Sequence, residues 1–137
     1  MTDPRNAAIQ LVERYYAAFN AGDRAAMLAL LTADVVHDPN QGTRETGAEA
    51  FAAFMQRMDR SYREQLADIV VMATADGSRA AAEYVVHGQY VADDAGLPPA
   101  SGQRYVLPGG AFFEIRDGRI ARVSNCYNLE DWIAQVR

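Results

Sequence analysis

Apolar residues in the first half of the chain recur every three or four positions, which is the period of a helix with one buried face. The first stripe runs from Ile9 to Phe19 and stops before Gly22, a residue typical of helix ends. Further stripes predict helices over residues 24–31 and 47–62. Three helices are therefore expected before the middle of the chain.

The period changes in the second half to that of β-strands. Strands are predicted over residues 66–75, 80–92, 105–115 and 119–128, and a short extended segment is predicted earlier, at residues 35–39. Asp-Gly pairs at residues 76–77 and 117–118 indicate tight hairpin turns. Residues 129–136 predict a short closing helix.

Helices that are segregated from antiparallel strands are typical of the α+β class. The chain has 137 residues, so we expect one domain spanning residues 1–137. A strongly curved sheet can wrap around a helix and leave a pocket with one open mouth. The loop over residues 93–102 could lie over such a mouth as a lid or could be a plain surface connection.

Composition narrows the classes of partner. The formal net charge is −5 and no basic run occurs, which argues against nucleic acid and anionic membranes. The single cysteine excludes an intrachain disulfide, and two distant histidines are a poor metal site. Residues 1–6 lack an apolar signal core, and no apolar run approaches the ~18 residues that span a bilayer. We expect a cytoplasmic protein without a metal or cofactor.

Two stretches resemble the ketosteroid isomerases of the nuclear transport factor 2-like (SnoaL-like) superfamily. They are RYYAAFNAGD (residues 14–23), continued by LLTAD and VHDP (residues 30–39), and AFFEIRDGRI (residues 111–120). The resemblance implies a cone: a curved antiparallel or mixed sheet encloses a pocket, three N-terminal helices cap it, and a short C-terminal helix follows. It also implies a homodimer.

HDPNQG (residues 37–42), GLPPASGQ (residues 96–103) and NCYNLEDW (residues 125–132) resemble the subgroup called ketosteroid isomerase-related proteins. The resemblance assigns the general base to Asp38 and the oxyanion donor to Tyr15. The isomerases add a protonated Asp as a second donor. Residues 108–111, where it is expected, are Pro-Gly-Gly-Ala and carry no donor side chain.

Strand alternation places Val36 and Asp38 on one face and His37 on the other. If Val36 faces the core, Asp38 faces an apolar pocket that raises its pKa toward that of a useful base. The alternative is a turn Asp that caps the following backbone. His37 could relay a proton or contact substrate, and it could equally face solvent, an interface or a backbone partner.

On the last predicted strand, Asn125 and Tyr127 share one face, and we expect them to line the pocket and replace the missing donor. The alternative is a polar patch at a dimer interface. Tyr84 is expected to face inward on its strand, with His87 facing outward. Phe54 belongs to the apolar stripe of the third helix and is a further substrate-binding candidate.

Two functions from different classes remain. The first is an isomerase that abstracts a proton next to a carbonyl of a small apolar, steroid- or polyketide-like molecule, with cyclisation or dehydration of a polyketide as a variant. The second is a non-catalytic module that binds a small ligand or dimerises. A reaction like that of limonene epoxide hydrolase would need an Asp-Arg-Asp set around a water; Arg104 could approach the pocket, but the sequence places no second inward Asp.

Overall fold

The computed structural model describes residues 3–137; Met1 and Thr2, part of the polar N-terminus considered above, lie outside the described residues. The elements follow in the order α1 (Pro4–Ala21), α2 (Arg24–Ala29), β1 (Leu31–Asp38), β2 (Glu45–Thr46), α3 (Ala48–Ser61), β3 (Tyr62–Ala73), β4 (Arg79–Tyr90), β5 (Gln103–Arg116), β6 (Arg119–Tyr127) and α4 (Leu129–Val136). The predicted α+β class is confirmed.

Local sequence signals set the limits of α1. The Asp3 carboxylate accepts a hydrogen bond from the Arg5 amide at 3.2 Å, and Pro4 occupies the first turn. Gly22 ends the helix with a φ of 71°, a left-handed conformation that glycine adopts without strain. Its amide donates to the Phe19 carbonyl at 3.0 Å.

The sheet is mixed, in the strand order β2-β1-β6-β5-β4-β3. Only the β1–β6 pair is parallel among the strands of residues 3–137. Both Asp-Gly pairs form hairpin turns as predicted, between β3 and β4 and between β5 and β6. The expected curved sheet with three preceding helices and a short last helix is confirmed.

Two strand starts differ from the prediction and one strand was not predicted, because pairing between distant strands overrides local propensity. β1 begins at Leu31 instead of Val35, since the Ile120 amide donates to the Leu30 carbonyl at 2.8 Å and draws this segment into the sheet. β3 begins at Tyr62 instead of Leu66, directly after α3. The two-residue strand β2 is too short to show in a sequence pattern.

The sheet has an inner face that packs on α1 and α3 and an outer face that is exposed. Inner-face residues such as Phe113 and Val123 join Val12 of α1 in the core. The outer face carries exposed apolar side chains, including Met72, Val106 and Phe112. The homodimer remains a prediction.

Within residues 3–137, no helix is both long and apolar enough to cross a membrane.

Candidate functional site

A cavity of about 660 Å³ lies between the inner face of the sheet, the helices and two loops. That volume falls within the range of small-molecule sites, ~300–1,000 Å³. The lining is largely aromatic and aliphatic, and it includes Pro39–Glu45 of one loop and three residues of the 93–102 loop. Six predicted site residues border it: Tyr15, His37, Phe54, Tyr84, Asn125 and Tyr127.

Asp38 does not border this cavity. Val35 and His37 are the buried residues at this end of β1, so the expectation that Val36 and Asp38 face inward is wrong. Asp38 pairs with Ser124, which pairs in turn with the exposed Phe112, and this row belongs to the outer face. Two consecutive valines fit either strand phase, and a shift of one residue reverses every side chain.

The surroundings of Asp38 stabilise its charged form. Its carboxylate accepts hydrogen bonds from Arg44 at 2.7 and 3.1 Å and from the Ser124 hydroxyl at 2.6 Å. The Arg44 bond is the main cause that lowers the pKa of Asp38 to about 2. The sequence predicted a raised pKa, and this too is wrong. A carboxylate with so low a pKa is a weak base.

His37 is buried in an aromatic slot inside the protein. Its ring lies 4.8 Å from that of Phe51 and 4.4 Å from that of Phe54, between centroids. The side chain is 1% exposed, so the solvent-facing alternative is wrong. Loss of solvent lowers the pKa of His37, while Glu45, with Oε1 3.4 Å from Nδ1, acts in the opposite direction.

Asn125 is held by this histidine. Its Nδ2 lies 3.2 Å from His37 Nε2, and the carboxylate of Glu45 faces the other ring nitrogen. The pattern fits a neutral imidazole that donates from Nδ1–H to Glu45 and accepts an Asn125 N–H at Nε2. Each partner fixes the orientation of the next. The amide of Asn125 keeps a second N–H and a carbonyl oxygen for other partners.

Tyr127 lies two residues further along β6, on the same face. It borders the cavity and is 40% exposed, which places it at the edge of the cavity rather than in its depth. Its amide donates to the Asn40 side chain at 3.0 Å, which ties β6 to the loop after β1. The predicted inward direction of both β6 side chains is confirmed; their roles in binding stay a prediction.

Three further tyrosines form one wall. Tyr15 packs edge-on against Tyr16 at 5.2 Å and Phe113 at 5.9 Å, and Tyr16 lies 5.4 Å from Tyr84. Tyr15, to which the resemblance assigns the oxyanion donor, borders the cavity, and so does its neighbour Tyr16. Burial raises the pKa of Tyr15 and brings that of Tyr84 to about 12. At neutral pH these hydroxyls are protonated and can donate.

Glu64, which was not predicted as a site residue, places a carboxylate on the wall of the cavity. Its Oε2 accepts a hydrogen bond of 2.5 Å from the Tyr105 hydroxyl. Loss of solvent raises the pKa of Glu64, and the Tyr105 bond and the Arg24 charge oppose that rise. The available signal was alternation through Leu66, which extends to Glu64 only when β3 is known to begin at Tyr62.

The loop over residues 93–102 covers part of the cavity, with Asp94, Ala95 and Leu97 on its lining. The Tyr62 hydroxyl donates to Asp94 at 2.7 Å, and the Tyr90 hydroxyl donates to the Pro98 carbonyl at 2.7 Å. These bonds fasten the loop to β3 and β4. Of the two roles considered for this loop, the structure favours the lid.

Other candidate residues lie outside this cavity. Arg104 is exposed and borders a separate cleft, so the Asp-Arg-Asp arrangement of an epoxide hydrolase does not form around it. His87 is exposed, as predicted. Across residues 3–137, no three His, Cys, Asp or Glu side chains are grouped as a metal site would require.

A family model described as "SnoaL-like domain" matches residues 12–123. The chain belongs to the SnoaL-like family. A crystal structure from Pseudomonas putida, described as a "putative polyketide cyclase", shares 68% identity with a TM-score of 0.94, covering 95% of this chain and 98% of that one. A structure from Xanthomonas campestris with the same description shares 63% identity with a TM-score of 0.95, covering 98% and 99%.

More distant structures share the fold alone. An LEH-like epoxide hydrolase from Mycobacterium tuberculosis is 20% identical to this SnoaL-like protein, with a TM-score of 0.78, covering 99% of this chain and 89% of that one. None of the curated proteins compared with the chain matches it significantly.

Proposed function

We propose that this SnoaL-like protein binds a small, largely apolar carbonyl compound of the polyketide type and moves a proton at the carbon next to a carbonyl. The reaction would be an isomerisation or an intramolecular cyclisation, and it requires no cofactor. The observation that carries the proposal is the Asn125 amide, fixed by His37 on the wall of a cavity whose lining is largely aromatic and aliphatic.

A polar amide on an apolar cavity wall is costly unless it has partners. His37 and Glu45 fix the direction of the Asn125 amide, and a fixed donor needs no reorganisation when charge develops on a carbonyl oxygen. Tyr127, at the edge of the cavity, is a second donor for substrate oxygens. The pair supplies the hydrogen bonding that residues 108–111 lack.

A polyketide-like substrate is favoured over a steroid for two reasons. The relatives at 68% and 63% identity carry the polyketide cyclase description. In addition, Asp38, to which the resemblance assigns the isomerase base, lies on the outer face and has a pKa of about 2. Ketosteroid isomerisation therefore loses its proton acceptor in this geometry.

The test is deuterium exchange at the carbon next to the carbonyl, followed by proton NMR in D₂O. The panel contains 1-tetralone, 2-tetralone and a Δ5-3-ketosteroid, each with wild type, Asn125→Ala and Cys126→Ala. Cys126 is the matched control, because it is the exposed neighbour of Asn125 on β6. We expect wild type to accelerate exchange of a tetralone and Asn125→Ala to lose ~10²–10³-fold of that rate.

Cys126→Ala should retain the wild-type rate. Exchange at the buffer rate with every ketone in the panel would overturn the proposal. In that case, saturable binding of the same ketones would support the non-catalytic, ligand-binding alternative.

A further inference from the structure

Glu64 belongs to a row of three paired residues on three neighbouring strands. It pairs with Gly88 on β4, and Gly88 pairs with Tyr105 on β5, so the three residues form one row across the sheet. Tyr105 is buried, and its hydroxyl reaches past Gly88 to the Glu64 carboxylate at 2.5 Å. The row holds the carboxylate at one end of the cavity wall.

Gly88 makes this reach possible. A Cβ at this position would lie 2.2 Å from Tyr105 Cζ and 2.5 Å from its hydroxyl oxygen, so any other residue would displace the ring. Glycine in the interior of a strand is otherwise unfavourable, and it marks a close approach. Glycine at position 88 therefore makes β4 less stable, but it leaves the space that the Tyr105–Glu64 contact needs.

The groups around Glu64 leave its carboxylate able to change protonation state. The charged or titratable residues that act on Glu64, or on which its charge acts, are Arg24 of α2, Tyr84 of β4, Tyr105 of β5 and Tyr127 of β6. The cavity is also bordered by other charged or titratable residues, which are Tyr15, Tyr16, His37, Arg44, Glu45, Arg57, Asp59, Tyr62 and Asp94. Arg24 is the cation that acts on Glu64, and it forms an ion pair with Asp59 at 2.7 Å. The tyrosines remain neutral at ordinary pH.

Glu64 and Asn125 lie in different rows of the sheet. Asn125 pairs with Ala111 of β5, six residues from Tyr105, so the two rows lie ~20 Å apart along that strand. Tyr84 and Tyr127 flank Gly109 in the row between them, and the Glu64 charge acts on both hydroxyls. Along β5, the row of these two tyrosines therefore lies between the row of Asn125 and that of the carboxylate.

We infer that Glu64 is the catalytic base of the proposed reaction, with Tyr105 as its positioning residue. The inference rests on the proposed function and adds a substrate class: a compound with at least two oxygen functions, with the reacting carbonyl at Asn125 and Tyr127 and a second oxygen at Tyr84. A chain of alternating carbonyl groups, as in a polyketide, has such spacing.

The step balances within the protein and the substrate. The Glu64 carboxylate takes the proton from the carbon next to the carbonyl, and the C–H electron pair becomes the C=C bond of an enolate. The carbonyl π electrons move to oxygen, which accepts hydrogen bonds from the Asn125 amide and the Tyr127 hydroxyl. Glu64 then returns the proton to another carbon in an isomerisation, or to the alkoxide that forms when the enolate carbon attacks a second carbonyl.

The test compares wild type, Glu64→Gln, Tyr105→Phe and Glu83→Gln in the exchange assay with the best tetralone, as a function of pH. Glu83 is the matched control, because it is an exposed strand glutamate and its replacement changes the charge equally. We expect Glu64→Gln to lose ~10²–10⁴-fold in kcat with little change in KM, and Glu83→Gln to match wild type.

Tyr105→Phe gives a signature that a merely structural contact would not produce. The Tyr105 hydrogen bond favours the charged carboxylate, so its loss should raise the pKa of Glu64 further. The acid limb of the kcat profile should therefore move to higher pH. An unmoved limb would overturn the positioning role of Tyr105.

The outcomes separate the two proposals. An active wild type with an equally active, folded Glu64→Gln would overturn the base assignment and leave the proposed function standing. A wild type that accelerates no exchange would overturn the proposed function and the base assignment with it. Urea unfolding of each variant establishes that it is folded.

Discussion

Replacing Gly88 by alanine tests how tightly the row that positions Glu64 is packed. The added Cβ would lie 2.2 Å from Tyr105 Cζ, whereas ordinary contact begins at 3.4 Å, so the ring must move by about 1.2 Å. Tyr105 is 3% exposed and its ring packs edge-on against Trp132 at 5.8 Å, which leaves little room for that movement. Crowding of this kind costs about 1–3 kcal/mol.

The displaced ring also loses its hydrogen bond to a carboxylate, worth about 1.5–3 kcal/mol. We therefore expect Gly88→Ala to lower the free energy of unfolding by about 2.5–6 kcal/mol, a large part of the ~5–15 kcal/mol of a typical domain. Urea unfolding at pH 7 measures the change. In an unaffected strand, alanine would instead be slightly stabilising.

A double-mutant cycle supplies the control. Leucine at position 105 lacks the outer ring atoms and the hydroxyl that an alanine Cβ at position 88 would meet. In the Tyr105→Leu background, Gly88→Ala should therefore cost less than about 1 kcal/mol. Equal costs in both backgrounds, or a Gly88→Ala protein as stable as wild type, would refute the account of this row.

Three further predictions concern stability and the loop over residues 93–102. His37 is buried with a lowered pKa, so its contribution to stability is present above pH ~6.5 and is lost as the pH falls below that value. Glu45→Gln lowers the pKa of His37 further, so the free energy of unfolding should fall more steeply between pH 7 and pH 5 than in wild type. Urea unfolding at each pH measures this loss. Tyr62→Phe frees Asp94 and should speed hydrogen exchange in residues 93–102, while β5 amides stay protected. Phe113→Ala should lower the free energy of unfolding by ~3–5 kcal/mol, because the Phe113 side chain is buried. Phe112→Ala, at a side chain 54% exposed, should lower it by less than ~1 kcal/mol. Similar losses in the two variants would contradict the assigned faces of β5.

The element order and the fold class follow from patterns that are local in sequence. The Asp3 cap, the Gly22 stop and the two Asp-Gly turns each act through neighbouring residues, so they can be predicted without a structure. The inward direction of Asn125 follows in the same way, from the alternation of a long strand with a clear apolar phase.

The direction of Asp38 could not be predicted so simply. Its strand contains adjacent valines, and parallel pairing with β6, including a register shift between Leu31 and Val36, decides which valine is buried. Arg44, six residues further on, then donates a hydrogen bond to the outward-facing carboxylate of Asp38. This partner depends on the loop path and leaves no signal in strand alternation.

Glu64 was missed for a related reason. The apolar stripe of α3 extends to Tyr62, and the strand that begins there is recognisable only through its pairing with Tyr90 at the far end of β4. The contact with Tyr105 joins residues 41 positions apart in the chain. Neither residue type nor local spacing reports such a contact.

The proposed chemistry lies inside the cavity and not on the outer face of the sheet. The most direct measurement is kcat/KM for ketone exchange in Asp38→Asn and Glu64→Gln, two variants that make the same carboxylate-to-amide change on opposite faces. We expect Asp38→Asn to stay within about threefold of wild type and Glu64→Gln to fall by ~10²-fold or more. A collapse in Asp38→Asn with Glu64→Gln unaffected would contradict the account.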